Sequence, residues 1–176
     1  PMNIEEKIEL FKNTIKETTK KLENIKKEQE SFMNKEFPEM LKLFFQSCPN
    51  IKSIYWTQYT PYYNDGDICI FSINDVFYTV KSDTEKRTGI LAKYEPDIDY
   101  EANDSFSQQE KSYFISYDCE KTQKNSLITI EEAKILIKIK NLLHSLEDFL
   151  LIKFGDPSEV FCYFDGSISV SEYYQN

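Results

Sequence analysis

In the opening stretch of the chain, seam residues return at alternating intervals of four and three: Ile4, Ile8, Phe11, Ile15, Thr18, Leu22, Ile25, Gln29 and Phe32. That alternation is the heptad period of a helix that packs on another helix. The positions between are mostly Lys and Glu, whose charges sum to about zero, and many oppose each other one turn apart. A helix of this length does not bury its own stripe. It needs a second helix of the same chain or a second copy. Thr18 and Gln29 are polar members of the seam, a feature that fixes register or partner number at some loss of stability. Neither Gly nor Pro interrupts the pattern before Pro38, where a break or kink is expected. This divides the chain into a coiled-coil-like helix, residues 1–37, and an α+β domain, residues 38–176.

Beyond Pro38 the period changes. Glu39 to Phe45 reads as a short buried helix ended by Cys48-Pro49-Asn50. Ile51 to Tyr59 is a β-branched and aromatic strand, followed by a loop rich in turn residues, Thr60 to Asp67. A second strand is expected over Ile68–Ile73, a turn at Asn74-Asp75 and a third strand over Val76–Val80. From about 82 to 112 periodicity vanishes, and Glu95, Asp97, Asp99, Glu101 and Asp104 form an acidic loop. Tyr113–Tyr117 has strand character.

Thr129 and Glu132 have capping-box spacing and open a second major helix, which ends at Gly155 with Pro157 beyond. Ile135, Ile139, Leu142, Leu146 and Phe149 mark its main stripe, widened by Leu136, Leu143 and Leu150. This apolar helix is the expected core helix and a natural partner for part of the first. Val160 to Phe164 and Ile168 to Tyr173 flank Asp165-Gly166 as a hairpin with a two-residue turn. The fold class is therefore α+β: a long heptad helix, an antiparallel meander packed on a C-terminal core helix, and a final hairpin.

The run Tyr55-Trp56-Thr57-Gln58-Tyr59-Thr60-Pro61-Tyr62-Tyr63-Asn64-Asp65-Gly66-Asp67 resembles a block in small uncharacterised proteins of bacteriophages and some microbes. The ending, with Phe154-Gly155-Asp156, Asp165-Gly166 and Glu172-Tyr173, resembles the C-terminus of the same group. Together the two cover about a quarter of the chain. The resemblance implies a fold and a mobile-element origin, and no mechanism.

Composition narrows the function classes. The net charge of −9 argues against bare nucleic acid, whose phosphates need Lys and Arg clusters, and favours a basic protein surface. No apolar run approaches the length of a membrane helix. Met2 reads as a natural start preceded by an added Pro1, no signal peptide is expected, and the expected location is a host cytoplasm. Cys48, Cys69, Cys119 and Cys162 are scattered without a C-x-x-C pair, which points to free, mostly buried thiols.

Candidate chemistry is sparse. Asp65 and Asp67 are weak metal candidates around Gly66. An EF-hand loop would need Glu six positions after the glycine, and Ser72 stands there. Asn-Asp-Gly is also what a tight turn requires. Trp56, Tyr59, Tyr62 and Tyr63, with Tyr55, could stack on bases, but only Lys52 lies near, so a core or a protein-binding edge is expected. His144 has no nearby thiol in sequence and reads as structural. No P-loop, dinucleotide fingerprint, zinc-protease or nucleophile-elbow motif occurs. No cofactor is expected.

These features point to a non-enzymatic interaction protein that binds and inhibits a host protein, as anti-CRISPR proteins do, with the acidic loop mimicking phosphates. One alternative is a structural or assembly protein dimerising through the first helix. Another is a metal-dependent hydrolase using Asp65 and Asp67.

Overall fold

The computed structural model describes residues 1–62, 66–82, 111–123 and 127–172. The chain divides into two compact units, Pro1–Glu39 and Met40–Asn176. Helix α1, Ile4–Ser47, begins in the first and ends in the second. Its start is a reciprocal cap. Glu6 N–H donates to Asn3 Oδ1 at 2.9 Å, and Asn3 N–H donates to Glu6 Oε2 at 3.0 Å. Glu5 and Glu6 also place negative charge at the positive end of the helix dipole.

Of the break or kink expected at Pro38, the break does not occur: α1 runs through it. An interior proline removes one backbone hydrogen bond and costs about 3 kcal/mol in an isolated helix. The turns that follow offset this by burial, since Leu41, Phe44, Phe45 and Cys48 are among the core residues of the second unit. The expected short helix after Pro38 is therefore the last part of α1.

In the second unit, the described residues form an antiparallel sheet in the order β3-β2-β1-β4-β5. The strands are β1 Ile51–Tyr59, β2 Ser72–Val80, β3 Tyr113–Phe114, β4 Ser158–Tyr163 and β5 Ile168–Glu172. The expected second and third strands are one: β2 runs straight through Asn74-Asp75. The Asn74 amide donates to Thr57 Oγ1 on β1 at 2.8 Å, so the side chain that would favour a turn is engaged across the sheet instead. Ile68 and Ile70 lie outside the strand and are 85% and 72% exposed.

Central strand β1 contributes to both faces. On one, Ile54 is in register with Tyr78 and Cys162, Trp56 with Val76 and Val160, and Gln58 with Ile73 and Ser158, all buried. The helices pack here: α2 Cys119–Thr122, α3 Ile130–Ser145 and α4 Glu147–Phe154. Tyr78 Oη donates to the Thr122 carbonyl, and the Trp56 ring meets Phe154 edge-on at 6.2 Å. On the other face a row of aromatics crosses four strands, Phe114, Phe77, Tyr55 and Phe161. Tyr55 stacks on Phe161 at 4.3 Å and on Phe77 at 5.3 Å, so cross-strand ring pairs reinforce the register.

The capping box at Thr129 and Glu132 forms as its spacing predicts. The single helix expected from there to Gly155 is two, separated at Leu146, whose N–H turns back to the Leu143 carbonyl at 3.0 Å. The buried line is Ala133, Leu136, Ile139, Leu143 and Leu150, with Leu142 exposed. The residues expected to widen the stripe are thus its centre.

The final hairpin forms, but its loop is the three residues Phe164-Asp165-Gly166. Gly166 N–H reaches the Tyr163 carbonyl at 3.0 Å, and Tyr163 N–H reaches Ser167 O at 2.9 Å. With Gly166 at φ +87°, this is a three-residue loop closed by a glycine bulge rather than the expected two-residue turn.

Candidate functional site

The feature of the first unit that has no structural use within it is its apolar stripe. Ile4, Ile8, Phe11, Ile15, Leu22, Ile25 and Phe32 are between 47% and 70% exposed, all at the heptad positions read from sequence. Scattered exposed apolar side chains are ordinary on protein surfaces. A continuous row at heptad spacing along one helix is not, because an α-helix gains most of its stability by burying such a row.

The polar seam residue Thr18 is self-sufficient. Its hydroxyl donates back to the carbonyls of Thr14 at 2.9 Å and Ile15 at 3.1 Å. The hydroxyl therefore stays satisfied when the seam is covered, and the methyl group is what Thr18 presents for packing. Gln29 lies on the same exposed stripe.

In the second unit the candidate aromatics separate. Trp56 is 0% exposed, and its Nε1–H donates to Gln58 Oε1 at 3.0 Å, so it is a core residue and not a surface anchor. Gln58 in turn donates to the carbonyls of Leu150 at 3.0 Å and Gly155 at 2.7 Å. One amide thus ties the central strand to α4. Tyr59 is half-buried and Tyr62 is exposed, and with Thr60, Pro61, Cys69, Asp156 and Pro157 they line a cavity of about 400 Å³. The Asp156 carboxylate accepts Thr60 N–H at 3.0 Å and Thr60 Oγ1–H at 2.5 Å, which occupies both of its oxygens. Tyr63 lies outside the described residues, as do Asp65, Glu95, Asp97, Asp99, Glu101 and Asp104. Asp67 is exposed, and among the described residues no group of three or more His, Cys, Asp and Glu is placed to hold a metal ion.

His144 Nδ1 sits 3.7 Å from the Glu147 carboxylate, which also accepts the Ile73 N–H at 3.2 Å. This is a link between helix and strand. Burial raises the Cys162 thiol to about 12, and burial with the nearby Glu132 charge raises the Cys48 thiol to about 12. Neither is a nucleophile near neutral pH.

Two buried charges escaped sequence reading. Glu132 accepts from Thr129 N–H at 2.9 Å, Asn50 N–H at 3.0 Å and Asn50 Nδ2 at 2.8 Å. Burial acts to raise its carboxyl, and the hydrogen bonds from Thr129 and Asn50 outweigh it, so its pKa lies below the ordinary carboxylate value. Lys140 donates to the Ile115 carbonyl at 3.4 Å and stands 4.9 Å from the Tyr117 ring centre, with its pKa lowered by burial against the opposing charge of Asp75. The capping-box spacing was a legible signal for half of the Glu132 role. Nothing in sequence pointed to Asn50.

No helix among the described residues is long and apolar enough to cross a membrane. No protein-family model, curated protein or solved structure matches this chain.

Proposed function

We propose that this protein is a non-enzymatic assembly protein that self-associates through the heptad seam of α1. The observation that carries the reading is the row of seven half-exposed or more exposed apolar side chains from Ile4 to Phe32. Burying a Leu, Ile or Phe side chain contributes roughly 1.5–3 kcal/mol, so covering this row outweighs the loss of freedom on pairing two helices. A second copy is the simplest occupant because it brings an identical apolar row. The flanks carry nearly balanced charge, eight Lys against nine Glu over residues 1–39, so two copies meet without net repulsion along the arm.

The test is sedimentation equilibrium of the full chain and of a Leu22→Glu variant. The wild-type chain is expected to be a dimer and the variant a monomer, with Trp56 fluorescence unchanged because the second unit is untouched. A wild-type chain that stays monomeric over the whole accessible concentration range overturns the reading.

A second reading, inhibition of a host protein through the acidic loop, is supported by charge: residues 40–176 carry −8 of the total −9. Neutralising Glu95, Asp97, Asp99, Glu101 and Asp104 together would then weaken binding to a partner recovered from host lysate and flatten its salt dependence. Unchanged affinity at low salt removes this reading.

A further inference from the structure

Heptad assignment places Ile8, Ile15, Leu22 and Gln29 at a positions and Ile4, Phe11, Thr18, Ile25 and Phe32 at d positions. The residues flanking the seam follow. Lys7, Thr14, Lys21 and Glu28 occupy g, and Glu5, Lys12, Thr19, Lys26 and Met33 occupy e. Orientation of two paired helices is decided by which of these flanking residues meet.

In a parallel, in-register pair each g residue faces the e residue five positions on in the other copy. Lys7 then meets Lys12 and Lys21 meets Lys26, each twice by symmetry. The remaining contacts, Thr14 with Thr19 and Glu28 with Met33, bring no opposite charges together. Every charged contact of that arrangement is repulsive.

In an antiparallel pair, g meets g and e meets e. With the twofold axis between Lys16 and Glu17, Lys7 meets Glu28 and Glu5 meets Lys26, again each twice. The other contacts are Lys21 with Thr14 and Lys12 with Thr19. Every charge–charge contact is attractive. In the seam, Ile8 faces Ile25, Phe11 faces Leu22, Ile15 faces Thr18 and Ile4 faces Gln29. The inward Thr18 hydroxyl is already bonded within its own helix, and Gln29 sits at the end of the paired segment, where water reaches its amide.

Shifting the register by one heptad destroys this match. With the axis at Lys20, Lys21 meets its own copy and Lys12 meets Lys26. With the axis at Asn13, Lys7 meets Lys21 and Lys12 meets its own copy. Among the described residues no ion pair within the chain engages Glu5, Lys7, Lys26 or Glu28, so all four are available for such pairing.

We infer that two copies of this chain pair through α1 as an antiparallel coiled coil centred between Lys16 and Glu17, a conclusion that rests on the self-association proposed above. Charge complementarity at the e and g positions sets both orientation and register.

Pulsed dipolar spectroscopy of full-length chain tests it. Spin labels are placed at Lys35→Cys or at Lys16→Cys, in a background with the partly exposed Cys69 and Cys119 changed to Ser. At 1.5 Å per residue the two copies of position 35 lie about 55 Å apart, whereas the two copies of position 16 lie side by side. Short distances at both sites in a dimer overturn the antiparallel orientation and leave self-association standing. A distance at position 35 near 45 Å or 66 Å, the values of roughly one-heptad shifts, overturns the register. A monomer overturns self-association itself.

Charge reversal gives an independent sign. Lys7→Glu with Lys26→Glu makes every antiparallel charge pair repulsive and every parallel pair attractive. Dimer dissociation is expected to strengthen on the order of tenfold to a hundredfold at low salt. Adding Glu5→Lys and Glu28→Lys restores the original net charge and is expected to restore the dimer. Tighter association of the first variant overturns the proposal.

Discussion

Replacing Glu132 with Ala is the sharpest test of how the second unit is held together. The carboxylate joins the start of α3 to the turn between α1 and β1, through Thr129 on one side and Asn50 on the other. It is 2% exposed, so water does not substitute freely. A hydrogen bond to a charged group contributes about 1.5–3 kcal/mol. The Asn50 side-chain amide is at the surface and can turn to water, whereas the backbone N–H groups of Asn50 and Thr129 are fixed in direction by the chain and lose their carboxylate acceptor. Two such bonds at the lower figure give a loss of about 3 kcal/mol for Glu132→Ala. Glu132→Gln keeps one acceptor and is expected to lose about half as much.

Urea unfolding followed by fluorescence measures this directly, because Trp56 is the only tryptophan and is fully buried in the same unit. With a urea slope of about 2 kcal/mol per molar, the midpoint should fall by about 1.5 M for the alanine variant. The pH dependence carries a second signature. The folded-state pKa of Glu132 is below 4.5, so its stabilisation is fully present above that value and is lost as pH falls through the lower folded-state value. The glutamine variant should lack that component of the acid-side decline. A Glu132→Ala protein within about 0.5 kcal/mol of wild type, or a Gln variant with the full acid-side decline, would refute this role for Glu132.

Gln58→Leu removes the partner of the buried Trp56 N–H and of two α4-end carbonyls, and should cost about 2–4 kcal/mol in the same urea assay. Ile15→Glu should dissociate the proposed dimer in sedimentation experiments, while Leu10→Glu, one position before the seam residue Phe11, should not. Reaction with a thiol reagent at neutral pH should modify Cys69 and Cys119 rapidly, and Cys48 and Cys162 only after denaturant is added, because both are buried with thiols raised to about 12. Calorimetric titration with calcium or magnesium should show no binding. Heat that disappears in Asp67→Asn would revive the hydrolase reading.

Where the controlling signal was local, the chain could be read directly. The heptad seam, the Thr129–Glu132 cap, the position of the last hairpin and the α+β class follow from side-chain period and turn chemistry, which act over a few residues. The seam was legible for the same reason, as a stripe that a second helix, of the same chain or of another copy, would cover. The e and g charges from which the antiparallel pairing is inferred are equally local, since each is read from its place in the heptad.

Other features depended on neighbours far along the chain. Strand order is decided by which apolar faces meet, and β4 pairs with β1 across more than a hundred residues. β2 passes through Asn74-Asp75 because bonding to Thr57 on β1 competes successfully with the local turn preference. Helix α1 survives Pro38 because the turns beyond it are anchored by buried Leu41, Phe44 and Phe45. Residue type left Trp56 open between core and protein-binding edge, and tertiary packing made it core. Local preferences amount to about 1 kcal/mol per residue. Burial of a large side chain, or satisfaction of a buried charge such as Glu132, is worth several times that, so tertiary structure prevails wherever the two disagree.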